Sequence, residues 1–271
     1  MRETDAVERH VHAWIRAEVA EGTDVALLIA ASDAPLGEET LSVRAGGAEH
    51  PVTETRDRFG SRMHLVQGLP LGTVEIVYEA RGAGRAPVPT LREADAALHL
   101  HPSRYCEVDE FEAIAAEVLD GREGLEALDA VVRWVHEHLE YVPGSSTVTD
   151  SARSTHLSRQ GVCRDYAHLT ATLLRAGGIP ARCASAYAPG LSPMDFHLVV
   201  EALVAGEWQV VDATHLAPRA SMMRIATGQD AADTAFMTTL AGDVTLTGIQ
   251  ITAVVDPALP REDPRERLAL R

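Results

Sequence analysis

The run from Arg159 to Pro180 constrains this chain more than any other: Gly161, Val162 and Cys163 lead into Tyr166, Leu169, Leu173 and Leu174, and Gly177, Gly178 and Pro180 close it. Apolar residues at that spacing form one face of a helix, and glycines followed by a proline are the stop signal past a helix C-terminus. The run predicts a short loop that delivers Cys163 to the first turn of a buried helix. There the unpaired backbone N–H groups and the helix dipole favour the thiolate over the thiol, and the thiolate is the nucleophile. A cysteine so placed points to chemistry rather than to packing.

A nucleophilic cysteine needs a base to take its proton and a third group to orient that base. Downstream, residues 195–204 and 207–214 read as two short strands rich in β-branched residues, joined tightly around Ala205 and Gly206. A two-residue turn sets Val204 against Glu207, Val199 against Asp212 and His197 against Thr214, so His197 and Asp212 share one side of the sheet. Such diagonal neighbours lie roughly 7–8 Å apart, a gap that an imidazole and a carboxylate bridge with a hydrogen bond. A register slip of one residue would part them.

Three segments, Gly161 to His168, Asp195 to His197 and Val211 to Thr214, resemble the catalytic core of the bacterial transglutaminase-like cysteine peptidase family, in that family's order of Cys, His and Asp. Pro102 to Cys106, Tyr141 to Ser146 and Arg224 to Asp233 are similar to further segments of the same subgroup, so the resemblance covers residues 100–255. It implies an α+β, papain-like core in which the helix bearing the cysteine packs on an antiparallel sheet, preceded by a β-rich N-terminal domain. It also implies Cys163 as nucleophile, His197 as base and Asp212 as orienter. The chain departs from the family at Leu198, where a small residue is common, and at Val199, where an aromatic often stands. Both positions bear on substrate contacts more than on the three reacting groups.

At 271 residues the chain has room for one large domain or two ordinary ones, and 46% hydrophobic with 24% charged residues is the balance of a soluble globular protein. No apolar stretch approaches the roughly 20 residues of a spanning helix. The start from Met1 to Asp5 lacks the basic and apolar regions of a signal peptide, so the expected location is cytoplasmic. Three widely spaced cysteines make neither a disulfide framework nor a Cys-x-x-Cys pair, which suits a reducing compartment. A net charge of −16 repels phosphate backbones and anionic lipid. The expected partner is a peptide or protein substrate, with no nucleic acid, no membrane and no cofactor.

β-Branched runs at Val25 to Ala31, Leu41 to Val43, Met63 to Val66 and Val74 to Tyr78, separated by turn signals, predict a sandwich or half-barrel over residues 1–85. Glycines and prolines between Arg81 and Thr90 mark its boundary. Helical spacing follows from Asp109 to Leu119 and from Gly124 to Tyr141, and Val244 to Val255 reads as the last strand of a catalytic core over residues 100–258. The charged stretch 259–271 reads as a loose tail.

Other candidates carry weaker signals. Cys183 lies in the apolar run Ala181 to Tyr187 and reads as packing, whereas Cys106 reads as a structural residue with the reactivity of an ordinary thiol. His136 and His138 are two apart on a helix and point to different sides, and His99 and His101 lack a Cys or carboxylate pattern to complete a metal site, so no metal is expected. On the cysteine helix His168 is turned away from Cys163 and Asp165 caps locally, while His215 flanks the cleft. Tyr141 is the candidate oxyanion donor beside the Cys163 backbone N–H. Two function classes follow. One is a thiol acyl-transfer enzyme of protease, amidase or transglutaminase type, acting on a carboxamide or peptide bond through a thioester. The other is a catalytically silent binding scaffold of the same fold.

Overall fold

Val11, Ala13, Ile15, Ala17 and Val19 alternate with His10, His12, Trp14, Arg16 and Glu18, and a period of two buries the first set along one face of strand β1 (Glu8–Val19). Six more strands follow: β2 (Thr23–Leu27), β3 (Glu38–Ala45), β4 (Ala48–Glu49), β5 (Thr53–Arg56), β6 (Arg62–Leu69) and β7 (Gly72–Ala83). The computed structural model describes residues 7–32, 36–84, 86–263 and 266–271. The Met1 to Asp5 start, Arg85 of the expected boundary, and Pro264 and Arg265 of the expected tail lie outside the described residues.

These strands build two antiparallel sheets that take in the end of the chain, β14 (Met237–Ala241) and β15 (Val244–Asp256). The sheet orders are β15-β1-β7-β3-β4 and β14-β2-β6-β5. The last strand, expected to close the catalytic core, thus pairs along its whole length with β1, from Val244 opposite Val19 to Asp256 opposite Glu8. Ile251 and Ala253, at 5% and 2% exposure, enter the core of the sandwich and explain the choice of partner. That core, with Val11, Ile15, Leu27, Val66, Ile76 and Tyr78, continues into Tyr187, Met223 and Ile225 of the second half of the chain. The Tyr187 hydroxyl donates to the Ile29 carbonyl at 2.7 Å, so the two halves share both apolar and polar contacts.

In the second half, α1 (Asp95–Leu98), α2 (Glu112–Leu119), α3 (Gly124–His138) and α4 (Ala152–Ser158) precede the central helix α5 (Cys163–Ala176). Behind α5 stands an antiparallel sheet ordered β12-β11-β10-β13, made of β10 (Ala181–Tyr187), β11 (Phe196–Val204), β12 (Glu207–Val211) and β13 (Met223–Gly228). A short helix α6 (Ala231–Thr234) returns the chain to the sandwich. Every residue of α5 from Asp165 to Arg175 is buried. Leu169, Leu173 and Leu174 join one cluster with Leu128, Val131 and Val135 of α3 and Cys183 and Val200 of the sheet. Each such leucine contributes about 1.5–3 kcal/mol by leaving water. This is the α+β arrangement that the sequence predicts, a cysteine helix on an antiparallel sheet after a strand-rich region. Among the described residues the one parallel pairing joins β8 (Glu140–Tyr141) to β9 (Gln160–Gly161), setting Tyr141 opposite Gly161.

The expected loose tail is docked instead. Leu268 and Leu270, at 9% and 0% exposure, fill an apolar cluster with Val199, Val210 and Met222. Its charges have partners: Arg219 pairs with Glu262 at 2.6 Å and Arg267 with Asp129 at 2.7 Å, while the Val210 N–H donates to the Leu268 carbonyl.

Candidate active site

Two local devices set Cys163. The β8–β9 pair ends at Gly161, and Val162 stays extended (φ −114°) as the residue ahead of α5. Asp165, in the first turn, reaches back: its Oδ2 accepts the Val162 N–H at 2.7 Å and its Oδ1 accepts the Ser146 hydroxyl at 2.9 Å. The carboxylate thereby satisfies one of the donors that a helix start leaves unpaired. Position 161 is confined to glycine, since a Cβ there would come within 2.6 Å of the Asp165 side chain. The half-buried Cys163 is left at the positive end of the helix.

The β11–β12 hairpin sets the other two groups. Ala205 and Gly206 both have positive φ, 53° and 80°, the two-residue turn whose twist matches that of paired strands. It pairs Val204 with Glu207 and Val200 with Val211, so one further step opposes Val199 and Asp212, the register read from the sequence. Asp212 stands just past the end of β12. Its Oδ2 lies 2.7 Å from His197 Nε2, and its Oδ1 accepts both the Thr214 N–H at 2.9 Å and the Thr214 hydroxyl at 2.7 Å. The other ring nitrogen, Nδ1 of His197, makes no hydrogen bond of standard length among the described residues. Cys163 is close enough to this ring to raise its pKa.

His197 and Asp212 are 1% and 4% exposed. Burial alone pulls the imidazole pKa down, but the charge and hydrogen bond of Asp212, followed by Cys163, outweigh it and hold the group at about 10. For Asp212 burial pushes up, and the His197 charge with the hydrogen bonds from His197 and Thr214 brings the carboxyl below its ordinary value. The pair is an imidazolium facing a carboxylate at neutral pH. Tyr141 also neighbours the cysteine, its ring 5.9 Å from that of Tyr166. Burial and the neighbouring Cys163 push its phenol up to about 12, partly offset by the Cys163 backbone N–H beside its oxygen. It stays protonated and able to donate.

The remaining candidates fall elsewhere. Asp195 accepts the N–H of its own neighbour Phe196 at 2.7 Å, and burial raises its pKa. His168 is fully buried and accepts the Ala231 N–H at 3.1 Å, tying α5 to α6. The His215 ring lies against that of His136, tilted by 30° with ring centres 4.3 Å apart. Cys106, expected to react as an ordinary thiol, is as inaccessible as Cys183, both at 0% exposure with pKa values raised by burial. Its sulfur sits against the His168 carbonyl at 3.6 Å, a contact between distant segments that sequence neighbours do not reveal. Thr214 and Ser146 are the supporting side chains to which the sequence assigned no role. An Asp followed two residues later by Thr at a strand end is the signal for the first, because such pairs close local side-chain turns.

Residues 112–213 match the profile of the transglutaminase-like superfamily core. A proposed cysteine protease from Cytophaga hutchinsonii, known from its crystal structure, superposes with a TM-score of 0.86 at 29% identity, over 98% of this chain and 96% of its own. An uncharacterized protein of Mycobacterium leprae is 36% identical over 89 residues, which are 32% of this chain and 32% of that protein. The chain thus spans about a third of that relative. The periplasmic domain of TgpA from Pseudomonas aeruginosa matches at 20% identity and a TM-score of 0.42, over 79% of this chain and 89% of its own, a likeness too loose to build on.

Proposed function

The chain carries a transglutaminase-like superfamily domain over residues 112–213, and from that premise we propose that it is a thiol acyl-transfer enzyme working on a carboxamide or peptide bond. The observation that carries this reading is the 2.7 Å bond between His197 Nε2 and Asp212, with Nδ1 uncommitted on the side of a half-buried cysteine at a helix N-terminus. Cys163 is the nucleophile. Its thiolate attacks the carbonyl carbon, and the C–O π electrons move onto oxygen. The Cys163 backbone N–H and the Tyr141 hydroxyl donate to that oxyanion. When the C–N bond breaks, Nδ1 of the His197 imidazolium protonates the leaving amine, and a thioester on Cys163 remains. Neutral His197 then takes a proton from water, giving an acid, or from an amine, giving a new amide. Asp212 holds the ring and stabilises its charged form throughout.

The acceptor and partner belong to the same proposal. All 24 Lys and Arg positions are arginine, so the chain offers no ε-amine of its own and an acyl-accepting lysine has to come from another molecule. The acidic surface favours a peptide or protein substrate over nucleic acid or anionic membrane. The test is an activated ester donor followed by intact-mass measurement. The acyl mass should appear on the wild-type chain and be absent from Cys163→Ala, and added amine or water should discharge it. A chain that never acquires the acyl mass would be the binding scaffold instead.

A further inference from the structure

A second polar site lies about 13 Å along β11 from His197, four residues away at Glu201. Here a cavity of about 370 Å³ opens between the two halves of the molecule. Ser61, after the β5–β6 turn, forms one wall, Arg92, Asp95 and His99 around α1 a second, and Arg182 and Arg224 of the core sheet the third. Junctions between folding units are where small-molecule sites concentrate, and this volume lies in their usual range.

The charges in this cavity are unbalanced. Glu201, with no exposed surface, binds Arg182 Nε at 2.9 Å and both terminal nitrogens of Arg224 at 2.6 and 2.7 Å, so one carboxylate serves two guanidinium groups. The two terminal nitrogens of Arg224 also donate to Thr227 and to the Leu270 carbonyl. Arg182 differs. It is 8% exposed, its plane lies over Trp208 with Cζ 3.9 Å from the ring centre, and its Nη1 and Nη2 have no hydrogen-bond acceptor among the described residues. Among the described residues the Arg92 side chain at the rim reaches only the Arg58 carbonyl, and Asp95 is the one acid in the lining, its carboxylate accepting the Arg92 backbone N–H at 3.0 Å. Arg58 is paired with Asp233, and Arg56 has its own partner. Among the described residues, three guanidinium groups, those of Arg92, Arg182 and Arg224, therefore face two carboxylates, an excess of positive charge inside a chain of net charge −16. Burial, then the charge of Arg182, hold the neighbouring His99 down to about 4, so it adds no charge of its own. The Ser61 hydroxyl accepts the Thr227 N–H at 3.1 Å and has no acceptor for its own hydrogen among the described residues.

We propose that this cavity binds a small organic oxyanion, a phosphate ester or a carboxylic acid, gripped by Nη1 and Nη2 of Arg182 with Arg92 and Ser61 as further donors. Planar two-nitrogen recognition of an oxyanion is what a guanidinium with both terminal groups free is built for. The volume exceeds what a bare phosphate needs, which leaves room for an organic part. The proposal is independent of the acyl-transfer chemistry.

The probes are pyrophosphate and citrate, titrated into the full-length protein at constant ionic strength and followed by calorimetry and by tryptophan emission. Because Arg182 stacks on Trp208, saturable binding should change the emission, and Trp208→Phe should remove that signal while leaving the heat. Arg182→Gln should weaken binding by roughly 30-fold or more, given what a charge-assisted pair contributes. Arg182→Gln leaves Glu201 with a single partner and can lose stability, so Arg92→Gln, at an exposed rim position, is the companion variant. It should weaken binding by about 3-fold to 10-fold without changing the melting temperature. Pyrophosphate alone binding would identify a phosphate ester, and citrate alone a carboxylic acid. No saturable binding of either probe at millimolar concentration, or equal binding by wild type and both arginine variants, overturns the proposal.

Discussion

Strand β11 carries two buried charge clusters four residues apart, and they are built to opposite ends. At His197 the partner is one carboxylate, Asp212, and both groups are nearly inaccessible. At Glu201 the carboxylate sits between Arg182 and Arg224, equally hidden. Glu201 is held down to about 2, burial notwithstanding, by its two arginines, and arginine does not give up its proton in the working range. Across the working pH range that cluster stays ionised and can only bind or brace. The imidazole at the other end can change its charge, its second nitrogen is uncommitted, and a thiol stands beside it. Burial alone does not make a reactive site; a buried pair becomes chemistry when one member titrates and has a free valence.

The largest separation of the two clusters should come from removing one carboxyl charge in each. Asp212→Asn keeps the shape but neither stabilises the imidazolium nor fixes its tautomer, so the acyl-transfer rate should fall by about 10³–10⁴-fold. Measured near pH 10, where the contribution of the His197 charge is already fading, the urea midpoint should move little, because His197 can discard its proton. Glu201→Gln strands two arginines that cannot, and should cost about 3–5 kcal/mol of stability. At a temperature where that variant remains folded, its transfer rate should stay within a few-fold of wild type. If Asp212→Asn is the variant that unfolds and Glu201→Gln the one that loses turnover, the assignment of the two clusters is inverted.

Smaller, but opposite in sign, are the pH dependences. The His197 pKa is raised from 6.5 to about 10, so its contribution to stability is complete below about 6.5 and is lost as pH rises through about 10. The Glu201 pKa is lowered from 4.5 to about 2, so its contribution is complete above about 4.5 and is lost as pH falls toward 2. Urea midpoints recorded from pH 6 to pH 10 should decline in wild type and be flatter in Asp212→Asn. An identical decline in both would remove His197 as the titrating group.

What the sequence made legible follows the same division between local and distant causes. The His197–Asp212 pairing was readable because a two-residue turn at Ala205 and Gly206 fixes every cross-strand partner, and a period of two fixes the face. Cys163 was readable because capping and stop signals are local. Strand β1 was missed since its outward residues, among them Arg16 and Glu18, and its inward Ala13 and Ala17 carry no β preference, and only their alternation does. The partner of β15 and the docking of Leu268 and Leu270 depend on surfaces more than 200 and about 60 residues away in the chain, which no local pattern encodes. Arg182 and Glu201 gave no signal for the same reason, because a buried ion pair across strands looks in sequence like two surface residues.

The smallest expected effect, and the sharpest for the cysteine side of the comparison, is Tyr141→Phe. The β8–β9 pair and the contact with Tyr166 hold this ring whether or not it bears a hydroxyl, so the fold should be unchanged. Loss of one donor to the oxyanion should lower kcat by about 10-fold to 100-fold, less than a fully buried donor gives because the ring is half-buried. Alkylation by iodoacetamide at pH 6 forms no oxyanion and reads the reactivity of the sulfur beside His197. It should mark Cys163 alone, sparing Cys106 and Cys183, which are at 0% exposure. Its rate should be the same in Tyr141→Phe as in wild type and much lower in His197→Ala. If Tyr141→Phe slows alkylation as much as acyl transfer, the phenol acts on the thiol rather than on the carbonyl oxygen. If it changes only KM, the hydroxyl touches substrate away from the reacting bond.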